Sequence, residues 1–239
     1  MKKWKLDYHI FKGMINSFLN LYTGGKNRPA FFDIPTTYPE LTQLTQNVGT
    51  IQGELDRVLQ SQASLPEYHE VDPGERAISA TTAQKWRVFM LYILGNKPEA
   101  NRALCPELSR LLDGVPNLVQ AFFSILDPGK SIPLHEGPYY GYLRYHLALR
   151  VPKDNPPCII VNSRKHVWQE GEAVLFDDSY PHEVINHSND RRIVLIVDVM
   201  RHMPWLPSLL NRFVTGVIGR VTYGKKVAQR VENLKPLFQ

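Results

Sequence analysis

Cysteine is scarce in this 239-residue chain, which carries only Cys105 and Cys158. They lie far apart, so neither a disulfide framework nor a Cys-x-x-Cys metal or redox spacing is available. A reducing, intracellular compartment is the expectation. Long apolar runs are missing too: no stretch approaches the ~18 consecutive apolar residues of a membrane-spanning helix. The N-terminal MKKWKLDYHIFKGMINSFLNLYTGG is interrupted by Asp7, His9 and Lys12 and is followed by no small-residue cleavage site, which argues against a signal peptide. The expected location is cytoplasmic, with peripheral attachment at the inner face of a membrane as an option. There is no internal repeat and no low-complexity segment. Negative charge is depleted at one end, where Arg201–Lys235 holds seven Lys or Arg residues against the single acid Glu232. Such a tail suits anionic lipid, nucleic acid or an acidic ligand. Between Pro207 and Lys235 the only aromatics are Phe213 and Tyr223, too few to interleave with those charges, so no nucleic-acid partner is expected.

What is present is an ordinary globular balance of 43% hydrophobic and 21% charged residues with a net charge of +5. The chain is long enough to bury a core without covalent staples. Residues 1–22 read as an amphipathic helix with Ile10, Met14, Phe18 and Leu21 at helical spacing. FFDIPTTYPEL (31–41), with two prolines, reads as an extended, docked connection. A second helix is expected from Leu41 to Gln60, a third over Gln84–Leu94, and a short one in CPELSRLLDG. From Val119 to Met200 the texture changes to short apolar or alternating runs separated by Gly, Pro, Asn and Asp, which argues for a barrel or jelly roll. Helical spacing returns through Leu209, Phe213, Val217 and Val221. The expected fold is mainly β with α. It is a double-stranded β-helix (jelly roll, cupin-like) over 117–203, preceded by an N-terminal helical region (1–116) and followed by a basic amphipathic C-terminal tail (204–239), all in one structural domain.

Strand periodicity places residues i and i+2 on one face. In YLRYHLALR, Tyr142, Arg144, His146, Ala148 and Arg150 share a face, and Leu143, Tyr145, Leu147 and Leu149 share the other. Arg192, Val194, Ile196 and Asp198 align in the same way in RRIVLIVDV. An arginine pointing into a small barrel is costly unless an anion meets it. The guanidinium fork matches a carboxylate, so Arg192 and Arg144 are candidate seats for a dicarboxylate; pairing with Asp177, Asp178 or Asp198 is the alternative. His135 and His182 are the candidate metal ligands. The pattern is His-x-x-Pro, an Arg-x-His nine residues after the first histidine, a distant second histidine, and an arginine ten residues beyond that.

From Trp86 to Pro204 the chain resembles the aspartyl/asparaginyl β-hydroxylase family of iron(II)- and 2-oxoglutarate-dependent dioxygenases. The resemblance is carried by SILDPGKSIPLHEGP, LRYHLALRVP, WQEGEAVLFDDSYPHEV and RRIVLIVDV. DIPTTYPELTQLTQNVGTIQGEL and the WRVFMLYILG…ALCPEL region are similar to the bacterial lipid A hydroxylase branch. The usual non-haem iron site takes two histidines and a carboxylate, yet Gly137 stands at the carboxylate's position. The resemblance implies that His135 and His182 suffice as iron ligands, with water in the vacant place. It implies that Arg192 pairs with the distal carboxylate of 2-oxoglutarate and that Arg144 and His146 help to hold it. Ser124 and Trp86 would stand beside it, and Asp177 and Asp178 would support the turn or the ligands. Glu136, next to His135 in an extended segment, should face away; Asp178 stays open as a ligand.

The implied reaction uses dioxygen, hydroxylates an unactivated C–H bond and releases succinate and carbon dioxide. By the same resemblance Gly137 favours a peptide Asp or Asn as substrate, since the aspartyl/asparaginyl hydroxylases show a glycine at this point. The N-terminal resemblance and the basic tail favour a lipid acyl chain or small molecule, which is the reading preferred here. The tail reads either as an interfacial helix or as a helix packing its apolar stripe on the barrel. A non-catalytic cupin-like binding module is the further alternative.

Overall fold

The computed structural model describes residues 2–61 and 65–234, with side chains described from Gly13 onward. In chain order the strands are β1 (Phe31–Phe32), β2 (Trp86–Ile93), β3 (Leu118–Leu126), β4 (Ile132–His135), β5 (Tyr142–Arg150), β6 (Cys158–Val161), β7 (Arg164–Val167), β8 (Ala173–Phe176), β9 (His182–Ile185) and β10 (Arg192–Met200). Among the described residues they form two antiparallel sheets, ordered β1-β8-β5-β10-β3-β2 and β4-β9-β6-β7. The two sheets face each other across one apolar cluster: Phe122, Ala148, Val194 and Ile196 of the larger meet Ile132, Ile159, Val161 and Val184 of the smaller. This double-sheet barrel is the jelly-roll, cupin-like architecture.

The larger sheet is covered on its other face as well. Leu143, Tyr145, Leu147 and Leu149 of β5 and Leu195, Val197 and Val199 of β10 pack there against Ile51, Leu55 and Val58 of the helix Val48–Ser61 and Leu108 and Leu112 of the helix Pro106–Asp113. Strands covered on both faces read as continuous apolar runs, as RIVLIVDVM does. The helical layer is tied together by buried Glu54, whose carboxylate accepts from the Glu107 and Leu108 amides (both 2.9 Å) at the start of the helix Pro106–Asp113. A carboxylate at a helix N-terminus satisfies orphan amides and complements the dipole.

Several expectations are corrected. The segment Gln84–Leu94 is not a helix: Trp86–Ile93 is β2, the sheet edge paired with β3. Its apolar spacing arises from burial on both faces, which periodicity alone does not distinguish from a helix. Residues 1–116 therefore supply both edge strands of the larger sheet, β1 and β2, and the division at 117 cuts through it. The helix expected over 41–60 is broken at Asn47 into Thr42–Gln46 and Val48–Ser61, with the Asn47 amide side chain bonded back to the Gln43 carbonyl at 2.8 Å. The connection 31–41 is not extended throughout; it contains short helical turns at Ile34–Thr37 and Pro39–Leu41. The N-terminal helix runs over Lys2–Thr23, but Ile15 and Leu19 form its buried face while Met14 and Leu21 are exposed; Ile10 lies outside the described side chains. Arg150 leaves the Arg-x-His face, because a register shift in the β10 pairing turns it outward to Asp56 at 2.9 Å.

Candidate active site in the barrel lumen

Strands β4 and β9 are neighbours, and their register sets His135 opposite His182. The ring centroids are 4.1 Å apart. In each ring Nδ1 lies 2.8 Å from the carbonyl two residues upstream, Pro133 O for His135 and Tyr180 O for His182. A carbonyl only accepts, so Nδ1 carries a proton in each ring and Nε2 is the atom left for any further contact. Burial, reinforced by the neighbouring His182, pushes His135 down to about 4, which keeps it a neutral donor at neutral pH. Among the described residues no cluster of three or more His, Cys, Asp or Glu is arranged to hold a metal ion.

The carboxylate beside this pair belongs to Asp178. Its Oδ1 is 3.3 Å from His182 Nε2 and 2.7 Å from Arg144 Nη1, and its Oδ2 accepts from the Tyr142 hydroxyl at 2.5 Å. Burial alone would raise this carboxyl, but Arg144 and His182 outweigh it and hold it below the usual range. The backbone amide of Gly137 donates to the Asp178 carbonyl at 2.8 Å, fastening the two segments together. Arg144 differs from the open seat anticipated for it. Asp198 is its register partner on β10 and takes its Nε and Nη2 at 2.8 and 2.9 Å, so with Asp178 on Nη1 the whole fork is engaged. Asp177 points elsewhere: wholly buried, it joins Arg28 and Arg201, each at 2.8 Å.

Arg192 is the opposite case. It is 1% exposed, and no acidic side chain among the described residues is paired with it. Its Nη1 is 3.4 Å from Ser124 Oγ, its guanidinium carbon lies 4.1 Å over the Trp168 ring, and its Nε has no partner. Burial pulls its pKa down towards about 9, which still leaves a cation at neutral pH. Ser124 Oγ also accepts from Trp86 Nε1 at 2.9 Å, leaving its own hydrogen to donate. His146 is buried with both ring nitrogens unpartnered, and Trp168 Nε1 is unpartnered as well. Burial first, then Arg192, holds His146 well below the usual range and hence neutral. Buried polar groups are normally hydrogen-bonded, so the guanidinium, imidazole and indole N–H left without partners here stand out from the rest of the barrel interior. Nothing in the sequence pattern singles out Trp168, which follows β7 in a loop where no periodicity marks its direction.

A cavity of about 570 Å³ opens from His135, Gly137 and Asp178. Its walls are largely apolar, with Ile15 of the N-terminal helix, Ile78, Leu94 and Phe122 facing Val214 and Ile218 of the C-terminal helical segment. Gln120, register partner of Asp198, lines it with an unpartnered amide nitrogen; sequence reading missed this residue too. Asp72 and Glu75 add acidity, and burial followed by Asp72 lifts Glu75 to about 7.

By its sheets and lumen the protein is a helix-decorated jelly-roll barrel with a histidine pair and a buried arginine facing inward. Residues 45–202 match the model of the aspartyl/asparaginyl β-hydroxylase family, and the chain belongs to that family. It is 38% identical over 184 residues to an ornithine lipid ester-linked acyl 2-hydroxylase from Rhizobium tropici, covering 77% of this chain and 64% of that protein. To the human aspartyl/asparaginyl β-hydroxylase it is 34% identical over 129 residues, 52% of this chain and 16% of that protein. The chain thus spans less than two thirds of either relative. The cupin domain of Cnp3 from Schizosaccharomyces pombe is similar at a TM-score of 0.35 and 9% identity, covering 56% of this chain and 74% of that one; the fold assignment rests on the strand pairing instead.

Proposed function

We propose that this chain is an iron(II)- and 2-oxoglutarate-dependent hydroxylase acting on a lipid acyl chain. The observation that carries the reading is Arg192, buried without a carboxylate beside the unpartnered nitrogens of His146 and Trp168, with the Phe176 ring bridging His146 (4.9 Å) to His182 (5.9 Å) of the histidine pair. The residues present fit both groups. Two imidazoles whose Nδ1 atoms are committed to backbone carbonyls suit a ferrous ion through Nε2, and a guanidinium with a serine hydroxyl suits the far carboxylate of the keto acid. Iron with 2-oxoglutarate and dioxygen supplies the oxidation of an unactivated C–H bond, with succinate and carbon dioxide as coproducts.

The chain's own residues do the rest. The Nδ1 bonds to Pro133 and Tyr180 fix each imidazole's tautomer and angle. Arg144 holds Asp178 against His182 and, in this arrangement, acts on the site through that carboxylate. Arg192, Ser124 and Trp86 form a chain of contacts that orients the cosubstrate from its far end. The apolar walls of the cavity align an alkyl chain and exclude water from the reacting carbon.

The acyl reading is favoured over a peptide substrate because the walls are mostly apolar, and because the Rhizobium relative is named for an acyl chain. Gly137 no longer speaks for a peptide, since the Asp178 carboxylate accounts for it sterically. The test is to incubate the purified chain with Fe(II), 2-oxoglutarate, dioxygen and bacterial lipid extract. Succinate release together with lipids heavier by one oxygen is expected. Succinate release with oxygen gained only by peptides would reject the acyl assignment, and no release in any mixture would reject the enzyme reading in favour of a binding module.

A further inference from the structure

The C-terminal helix is two-faced. It runs from Trp205–Phe213 through a π-helical stretch, Val214–Gly224, into Lys225–Asn233. Its inner side is wall: Val214, Thr215, Ile218 and Gly219 line the cavity. Gly224 brings the helix close against the β2 edge, where an added Cβ would stand 2.8 Å from Leu94 Cβ. On its outer side Trp205, Leu209, Phe213, Val217 and Val221 are 77, 61, 53, 52 and 66% exposed.

These five stand at every fourth position, and the winding keeps them in one row. At about 3.6 residues per α-turn, four residues overshoot a full turn. In a π stretch the i→i+5 bonds make the turn longer, so four residues fall short. The drift accumulated over Trp205–Phe213 is reversed over Phe213–Val221, and the row comes out straight. Exposed apolar residues scattered singly need no explanation, but a contiguous ridge does.

The surroundings of the ridge indicate its occupant. Arg212, Arg220, Lys225 and Lys226 are exposed along the same helix, and no acidic residue occurs from Val199 to Val231. The N-terminal helix borders the same cavity through Ile15 and is tied beside it, with Asn16 Nδ2 donating to the Pro138 carbonyl at 3.1 Å; it exposes Met14 and Leu21. Two helices flanking the cavity thus both turn apolar side chains outward, one of them amid uncompensated positive charge. An apolar row rimmed by Lys and Arg is the pattern of a helix lying in a bilayer interface. We propose that the Trp205–Val221 ridge docks this protein on an anionic membrane surface, so that a lipid chain passes from the bilayer into the cavity behind the same helix. The inference rests on the acyl reading for its purpose, but the docking is measurable without any turnover.

The experiment is co-sedimentation of the full chain with phosphatidylcholine–phosphatidylglycerol vesicles and with pure phosphatidylcholine vesicles, for the native chain and for Leu209→Asp/Phe213→Asp. Circular dichroism and thermal melting establish that the variant is folded. The native chain should bind the anionic vesicles, weaken with added salt, and lose affinity by at least about tenfold in the variant. Succinate release on a detergent-dispersed lipid should survive in the variant, because neither residue lines the cavity. Native protein that does not bind anionic vesicles, or a folded variant that binds equally, overturns the proposal. So does a native dimer, seen by sedimentation velocity, that the substitutions dissociate while vesicle binding stays absent, since the ridge would then be covered by a second copy. Vesicle binding without succinate release from any substrate would leave the docking standing and remove the hydroxylase reading.

Discussion

The Asp178 carboxylate occupies the space that a side chain at position 137 would need. A Cβ added to Gly137 would stand 2.7 Å from Asp178 Cγ, 2.8 Å from its carbonyl oxygen, and closer still to Oδ2. Glycine is required here by the approach of another side chain, not by a left-handed backbone. Introducing a carboxylate at this position, which on paper would complete a two-histidine, one-carboxylate set, therefore collides with the carboxylate already there. Gly137→Asp should destabilise the fold by about 1–3 kcal/mol, as overpacking does, and weaken Fe(II) binding. Urea unfolding and calorimetric metal titration measure both. Gly137→Asp combined with Asp178→Gly should recover more metal binding than Gly137→Asp alone; no recovery would remove the steric account.

Arg192 should be a liability in the absence of ligand and an asset with it. A buried cation without a partner destabilises the native state, so Arg192→Met should melt at or above the native temperature. The native chain should be stabilised by 2-oxoglutarate, by about 2.7 kcal/mol at a hundred times its dissociation constant, and Arg192→Met should show no such shift. Differential scanning fluorimetry with and without the keto acid reads both. An undiminished shift in the variant would place the anion elsewhere.

Glu75 gives the fold a specific pH dependence. Its pKa lies at about 7, against an ordinary 4.5, through burial and then the nearby Asp72. Below 4.5 folded and unfolded chains are both protonated at this group, so it contributes no difference. Between 4.5 and 7 the unfolded chain releases its proton first, so stability falls as pH rises and stays reduced above 7. Glu75→Gln should leave stability unchanged at the acid end and raise it at the alkaline end. Urea midpoints on either side of that window test the sign.

Asp177 anchors two distant segments to β8 through Arg28 and Arg201. Removing one partner from a buried pair leaves uncompensated charge. Asp177→Ala should cost on the order of 3 kcal/mol in denaturant unfolding. If Asp177 were instead an iron ligand, metal binding would be lost without that penalty.

Part of the site is written in the local pattern. The alternation of Tyr142–Leu149 and of Arg192–Asp198 assigns Arg144, His146, Arg192 and Asp198 to the lumen, and the structure places them there. The partners of those residues are not legible in this way. Arg144 and Arg192 read alike as inward arginines, yet one meets two carboxylates and the other none, because register sets Asp198 opposite Arg144 and only Leu126 opposite Arg192. The segment around Trp86 reads as helical because a strand buried on both faces has lost its two-residue period.

By itself the sequence determined what is carried by periodicity and residue type: a strand-rich middle, helices on either side, two histidines and two arginines of the right chemistry, and an apolar stripe in a basic tail. Tertiary structure alone decided which groups meet. It laid His135 against His182 across a strand pair, put Asp178 into the gap at Gly137, left Arg192 unpaired, and turned the Trp205–Val221 row outward instead of onto the barrel. Periodicity fixes the direction of a side chain relative to its own element, whereas burial and pairing depend on how elements distant along the chain pack together.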